Sequence, residues 1–396
     1  MTPKTMLTGI TLVFALMAIV LVSPGALAAG ETATTDVEEE SAAQVNRIDK
    51  PARDDLVQNT TAYIVHPARA LVPGRPRIVA IALPSGKQKT IHTLPANANV
   101  HNLSGPDRSG RVAYIEDSQP NKRHRVKFVA VDGDKETTLF DRPGGAMWAT
   151  TPVQTPGGVI GTHLALAPSG GNVAFLSNMN AIQMPGAYLH TGSLEIWNLD
   201  SKKQEQVVQT TALNQPMAWF TDGNRLAYTK LIPRKQIPVK GAGAERLRRY
   251  VVRGWKVVPA VFVLDTKTGK STFLCVGWQS TISPDGKTAI VTGWSNLLQV
   301  NVETQKASPL SLPGIAMRAW DSAPVILGIA RDGTVLYRGG PLKGKQARWT
   351  TGNSPLVGRK SMLTVRSADP VTGKTTVLIP YFDPRHTIAF GIPRNR

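Results

Sequence analysis

Between Lys230 and Val257 the sequence KLIPRKQIPVKGAGAERLRRYVVRGWKV sets nine bases against one acid, Glu245. Arg246, Arg248, Arg249 and Arg253 crowd its second half, and Tyr250 and Trp255 stand among them. Guanidinium groups grip carboxylate, sulfate or phosphate oxygens in a planar fork, and interleaved aromatic rings add stacking or interfacial contact. Pro233, Pro238, Gly241 and Gly243 make the first half an excursion rather than a strand. A shorter basic stretch, PLKGKQARW from Pro341 to Trp349, repeats the theme. The plain alternative for both is a solvated loop whose charges only keep the chain soluble.

The second group with chemical potential is a pair of imidazoles. His101 and His163 each stand five residues before a turn of one type, a position that Pro216, Gln279 and Ile326 hold elsewhere. Imidazoles brought round a shared axis could hold a metal or hydrogen-bond an anion. The structural alternative has each histidine capping its own loop. His66, His92, His124, His190 and His386 show no ligand spacing, and the single cysteine, Cys275, rules out a thiolate-rich zinc site. There is no Gly-x-Ser-x-Gly elbow, no His-Glu-x-x-His and no phosphate-binding Walker loop. No residue therefore takes a catalytic role and no cofactor is called for. A lyase or hydrolase with His101 and His163 near a metal is the enzyme alternative.

What must position these residues is a repeated hairpin. STISPDGKTAIV (Ser280 to Val291) alternates apolar and polar residues on either side of a Pro-Asp-Gly turn. NLSGPDRSGRVAYI, LALAPSGGNVAF, MAWFTDGNRLAY and ILGIARDGTVLY follow the same grammar. Aligned on Pro106, Pro168, Thr221, Pro284 and Arg331, the turns lie 62, 53, 63 and 47 residues apart. Pro presets φ, Asp accepts from its own downstream N–H groups, and Gly takes a positive φ. Asp222, Asp285 and Asp332 are accordingly read as turn residues rather than catalytic acids.

Each hairpin is followed by another, such as GSLEIWNLDSKKQEQVV or AVFVLDTKTGKSTFLC, and a sixth of this second kind, RIVAIALPSGKQKTIHTL, stands first. Two successive hairpins make a four-stranded antiparallel sheet with two apolar faces, which cannot cover both by itself. Radial stacking covers them. The prediction is an all-β fold, a β-propeller of four-stranded antiparallel blades. Six outer hairpins and five inner ones predict six blades. The first would be completed from opposite chain ends, by TTAYIVH (Thr60 to His66) and HTIAFGI (His386 to Ile392). Loops entering the innermost strands then surround one mouth of a central channel, which gathers His101, His163 and Gln279. Solenoids and sandwiches are the all-β alternatives, and the near absence of helix-period segments argues against α/β folds.

The pairing of SPDGKTAIV with a following LEIWNLD resembles the repeat of TolB-like propellers, relatives of WD-repeat proteins. The likeness is clear at Ser283 to Gly286 and at Ile196, Trp197 and Asp200. It is partial at Pro106-Asp107, Pro168 to Gly170, Asp222-Gly223 and Asp332-Gly333, and it covers nearly everything after Leu56. The resemblance implies a propeller and names no ligand. Nothing here matches TolB's separate N-terminal α/β domain, so that protein's role in its envelope complex does not carry over.

Residues 1–28 read as a secretory signal: a 17-residue apolar run from Met6 to Val22, then Ala26-Leu27-Ala28 at the cleavage position. An uncleaved anchor is the alternative, disfavoured because the run is short for a span of about 20 residues. Residues 29–56 hold eight acids against three bases and read as a disordered acidic linker, leaving residues 57–396 for the propeller. Setting aside Lys4 and this linker, whose net charge is −5, raises the balance from +19 to +23. A surface so basic favours polyanions. Export, to the periplasm, the cell surface or the medium, makes nucleic acid an unsuitable physiological partner and points to an acidic protein or a cell-envelope polyanion. No segment beyond the signal is apolar enough to span a bilayer. The expected function is an exported, non-enzymatic propeller that binds through its basic loops and its channel mouth.

Overall fold

The computed structural model describes residues 61–66, 75–82, 87–96, 98–118, 123–130, 135–143, 163–184, 187–237, 256–293, 296–315, 325–330, 332–340, 363–382 and 388–391. The expected signal and acidic linker lie outside them. The regular structure among the described residues is almost entirely strand, in antiparallel meanders. The first sheet comprises β1 (Thr61–His66), β2 (Arg77–Ala82) and β3 (Gln88–Thr93). The second runs β4 (Ala98–Ser104), β5 (Arg111–Ser118), β6 (Arg123–Ala130) and β7 (Glu136–Pro143). An eight-stranded sheet follows: β8 (Leu164–Leu166), β9 (Asn172–Met184), β10 (Ala187–Asn198) and β11 (Gln204–Leu213), then β12 (Ala218–Trp219), β13 (Arg225–Pro233), β14 (Val257–Asp265) and β15 (Ser271–Val276). Its two four-stranded runs are joined by one residue pair, Ala212 with Lys230. Two more sheets comprise β16 (Gln279–Ile282), β17 (Thr288–Thr292), β18 (Leu297–Asn301) and β19 (Ala307–Leu310), and then β20 (Ile326–Ile329), β21 (Val335–Gly339), β22 (Leu363–Ala368) and β23 (Thr375–Phe382). The final strand, β24 (Ile388–Gly391), returns to pair with β1, from Thr61 opposite Gly391 to Ile64 opposite Ile388.

The first strands of the successive runs touch one another in a closed cycle: β24 with β4, β4 with β8, β8 with β12, β12 with β16, β16 with β20, and β20 with β24. This is a propeller arrangement, and alternation along the strands explains it. On β5, Val112 and Tyr114 pack toward the first sheet with Tyr63, Ile78 and Leu94, while Ala113 and Ile115 pack toward β8 and β9 with Leu166 and Phe175. On β17, Ala289 and Val291 face Val261 and Leu274, whereas Ile290 faces Ile326 and Tyr337. Each hydrophobic cluster thus lies between neighbouring runs, so each run covers its apolar faces against the next.

The turns behave as their residue types dictate. Asp107 Oδ1 accepts from the N–H groups of Ser109 and Arg111, both at 2.9 Å. Asp222, Asp285 and Asp332 do the same for Asn224 (2.8 Å), Lys287 (3.0 Å) and Thr334 (2.8 Å). Gly223 and Gly286 take φ of +70° and +71°, a region costly for any side chain. These inner turns abut from run to run, Arg108 N–H donating to Pro168 O at 3.1 Å and Thr221 Oγ1 to Pro284 O at 2.7 Å. Outer turns sit on the same face: Thr266 N–H reaches Asn224 O and Val302 N–H reaches Lys287 O, both at 2.8 Å. The connections between second and third strands, and those entering the first strands, therefore lie at the opposite ends.

Candidate functional site

His163 stands immediately before β8 and Gln279 opens β16, so both lie where the chain enters a first strand. His163 is buried. Asn102 Nδ2, on neighbouring β4, lies 3.0 Å from His163 Nδ1. An amide nitrogen only donates, so Nδ1 accepts and the neutral ring carries its proton on Nε2. That Nε2 is buried and has no hydrogen-bond partner among the described residues. Burial lowers the imidazole pKa to about 4, so the ring is neutral near pH 7.

Gln279 is also buried and bridges three runs at the same end. Its Nε2 donates to Gln215 Oε1 at 3.2 Å, and its Oε1 accepts from Val325 N–H at 3.1 Å. Gln215 and Val325 adjoin Pro216 and Ile326, the equivalent sequence positions. These residues form polar links between the entries to β4 and β8, and between those to β12, β16 and β20. His101 lies in β4 at a register shift between Val100 and Asn102, and its side chain is outside the described set. Its neighbour Asn102 is the described residue of β4 that meets His163.

Arg246, Arg248, Arg249, Tyr250, Arg253 and Trp255 lie outside the described residues, as do 341–349. The stem of the first excursion is described, and it trims the expectation. Ladder pairing continues past Lys230 to Pro233 opposite Val257, with Ile232 buried, and Lys230 Nζ lies 4.1 Å from the Phe262 ring centroid. Lys230 is thus a strand residue engaged with its neighbour's ring. The excursion proper begins at Arg234, in a short 3₁₀ turn (Arg234–Gln236), where Arg234 N–H donates across the stem to Lys256 O at 2.9 Å. Trp278, Leu213, Ile182 and Leu189 pack with Leu231 and Val257 at its base.

One charged cluster was missed by the sequence reading. Lys127 Nζ lies 2.8 Å from both Glu116 Oε2 and Glu136 Oε1, and Arg125 reaches Glu116 and Asp141 at 3.3 Å. Glu136 also accepts from Tyr114 and lies 3.0 Å from His92 Nε2 on β3. Burial opposes ionisation of Glu136, but hydrogen bonds led by Lys127 and Tyr114 outweigh it and hold the carboxyl below its usual range. The groups satisfy one another across two sheets, which suits a structural tie. Alternation of Tyr114 with Glu116 and of Arg125 with Lys127 was the available signal. Cys275 is fully buried on β15, its thiol pushed up to about 12 by burial. Among the described residues no group of three or more His, Cys, Asp or Glu is arranged to hold a metal ion, and no helix is long and apolar enough to cross a membrane.

No family model matches the chain, and no curated protein matches it. Solved structures do. TolB from Acinetobacter baumannii is 13% identical with a TM-score of 0.51, the match covering 86% of this chain and 68% of that one. A TolB structure from Agrobacterium tumefaciens is 11% identical with a TM-score of 0.46, covering 84% and 97%. An oligogalacturonate lyase in complex with manganese is 12% identical with a TM-score of 0.43, covering 68% and 69%. At these identities the likeness to TolB shows the fold, a β-propeller.

Proposed function

We propose that this chain is an exported, non-enzymatic propeller that serves as a binding scaffold for an acidic protein or a cell-envelope polyanion. In this reading residues 1–28 are a cleaved signal, 29–56 a disordered acidic linker, and 57–396 a propeller whose eight-stranded sheet counts as two of six blades. The observation that carries the proposal is the shared end of the strands. The segment between β13 and β14 has eight bases against Glu245, and that between β21 and β22 has five bases and no acid. Both are second-to-third strand connections, leaving from the end at which His163 and Gln279 sit. The bases of these two segments would raise the local concentration of anionic ligands.

The test is chromatography of the full chain on an anionic matrix such as heparin at low and moderate salt. Replacing Arg246, Arg248, Arg249 and Arg253 together by Gln is expected to abolish salt-sensitive retention while leaving the melting temperature nearly unchanged. Unaltered retention would remove the excursion from the binding surface. The enzyme reading, a lyase or hydrolase with a histidine-bound metal at the mouth, predicts stoichiometric metal in the purified protein that His163→Ala loses. The scaffold reading predicts no such metal.

A further inference from the structure

The outer turn of every run, the connection from its third strand to its fourth, ends on a lysine. Lys87, Lys135, Lys203, Lys270, Lys306 and Lys374 stand immediately before β3, β7, β11, β15, β19 and β23, and all six are exposed. The position is equivalent in structure as well as in sequence. In five of the turns the lysine carbonyl accepts the N–H that closes the hairpin: from Ala82 to Lys87, Asn198 to Lys203, Asp265 to Lys270 and Asn301 to Lys306 at 2.9 Å, and from Asp369 to Lys374 at 3.0 Å. The first strands form the closed cycle, so the fourth strands are the most peripheral. The lysines therefore stand around the rim of the turn face, opposite the mouth.

Protection of the sheet edges accounts for part of this pattern, since a lysine beside an edge strand discourages pairing with another chain. It does not account for Val371, which lies in the same turn as Lys374 and, at 86% exposure, is the most exposed large hydrophobic among the described residues. Acids share the rim: Asp200, Asp265, Glu303 and Asp369 in the turns and Glu205 just after one, while Asp132 and Asp134 lie outside the described residues. Asp200 is engaged by Arg111 of the neighbouring run at 2.5 Å, and Asp265 and Asp369 accept from the N–H groups of Lys267 and Val371, both at 2.9 Å. Those carboxylates are drawn back onto the fold, whereas a lysine carries its charge on a flexible four-carbon stem. Screening acts over about 8 Å at physiological salt, so an approaching surface responds most to the outermost charges. Lys202 and Lys267, also exposed, add to that layer.

A thread-like polyanion crossing this face would meet the lysines of only a few runs, whereas a flat anionic surface meets them all, and a headgroup layer also takes up an exposed valine. We propose that the turn face docks on a bilayer rich in anionic phospholipid, with the rim lysines on the headgroups and Val371 entering the interface. It uses neither the mouth nor the basic segments, so the inference stands independently of the scaffold reading. The test is sedimentation of the full chain with vesicles of phosphatidylcholine alone and of phosphatidylcholine mixed with phosphatidylglycerol. The difference between the two is the readout, because the apolar run Met6 to Val22 contributes to both. Stronger, salt-sensitive binding to the mixed vesicles is expected. Replacing Lys203, Lys270 and Lys306 together by Gln should weaken it about a hundredfold, at roughly fivefold for each residue, with the melting temperature nearly unchanged. Val371→Ser should weaken it less, and the variant with four arginines replaced should bind as the native chain does. Equal binding to both kinds of vesicle, or a folded lysine variant that binds as the native chain does, would overturn the proposal. Rim lysines needed for retention on heparin, with no preference between the vesicles, would assign the face to a soluble polyanion and overturn it as well.

Discussion

His163 shows how a residue's surroundings override its type. A histidine in water titrates near pH 6.5, whereas this one is neutral down to about 4, because burial penalises the charged ring. Between those values the unfolded chain binds the proton and the folded chain does not, so stability falls as pH drops from 6.5 to 4 and this loss is complete below 4. The contribution is about 3 kcal/mol. Denaturant unfolding at pH 7 and pH 4.5 should show a steep decline for the native chain and a shallower one for His163→Gln. Parallel declines would mean that the ring is not neutral in the fold. Glu136, held below the usual carboxylate range, adds a further loss at the acidic end, as pH falls through its folded pKa. Its partners also show why it escaped the sequence reading. Tyr114, Lys127 and His92 come from three strands, and only their pairing makes them neighbours.

Among the elements, the outer turns are the most regular. Asn198, Asp265, Asn301 and Asp369 each accept from backbone N–H groups two or three residues on. Four residues past each, the chain enters the left-handed region, at Lys202 (φ 54°), Gly269 (69°), Gln305 (58°) and Gly373 (67°). Glycine suits that position, and the two exceptions separate strain from compensation. Lys202 is exposed, and Lys202→Gly is expected to raise stability by up to about 1 kcal/mol. Gln305 donates from Nε2 to Phe273 O of the neighbouring run at 2.9 Å, so Gln305→Gly should gain less or lose, since a typical hydrogen bond contributes about 1 kcal/mol. Thermal unfolding of both variants checks the order. A larger gain for Gln305→Gly would show that the cross-run bond contributes nothing.

At the scale of the whole molecule, closure of the cycle is the feature on which the rest depends. β24 pairs with β1 and touches β4 and β20, so one short segment joins the beginning of the described chain to its end. Deleting 388–396 would strip β1 of a partner and open the cycle. The expected result is a lowered melting temperature and lost amide protection in β1 and β2, read by hydrogen exchange, with β14 to β18 less affected. Protection lost uniformly would show that the runs unfold as one unit, and protection unchanged would show that β24 contributes little. The opposed faces follow from the same closure, with the His163 and Gln279 entries at one end and the Asp-Gly turns at the other.

The sequence by itself determined the strands, the turn chemistry and the two-faced apolar alternation, because each is set by residues within a few positions of one another. TTAYIVH and HTIAFGI announced their pairing only because the hairpin count left the first sheet incomplete. The basic excursion was legible as composition, although its start was placed four residues early, since Lys230 and its neighbours look like loop until they pair with β14. Tertiary structure alone decided that Asn102 meets His163, that Gln279 bridges three runs, and that Gln206 Oε1 is buried without a hydrogen-bond partner among the described residues. Those facts depend on which strand lies beside which, and side-chain partners across a sheet boundary leave no periodic trace along the chain.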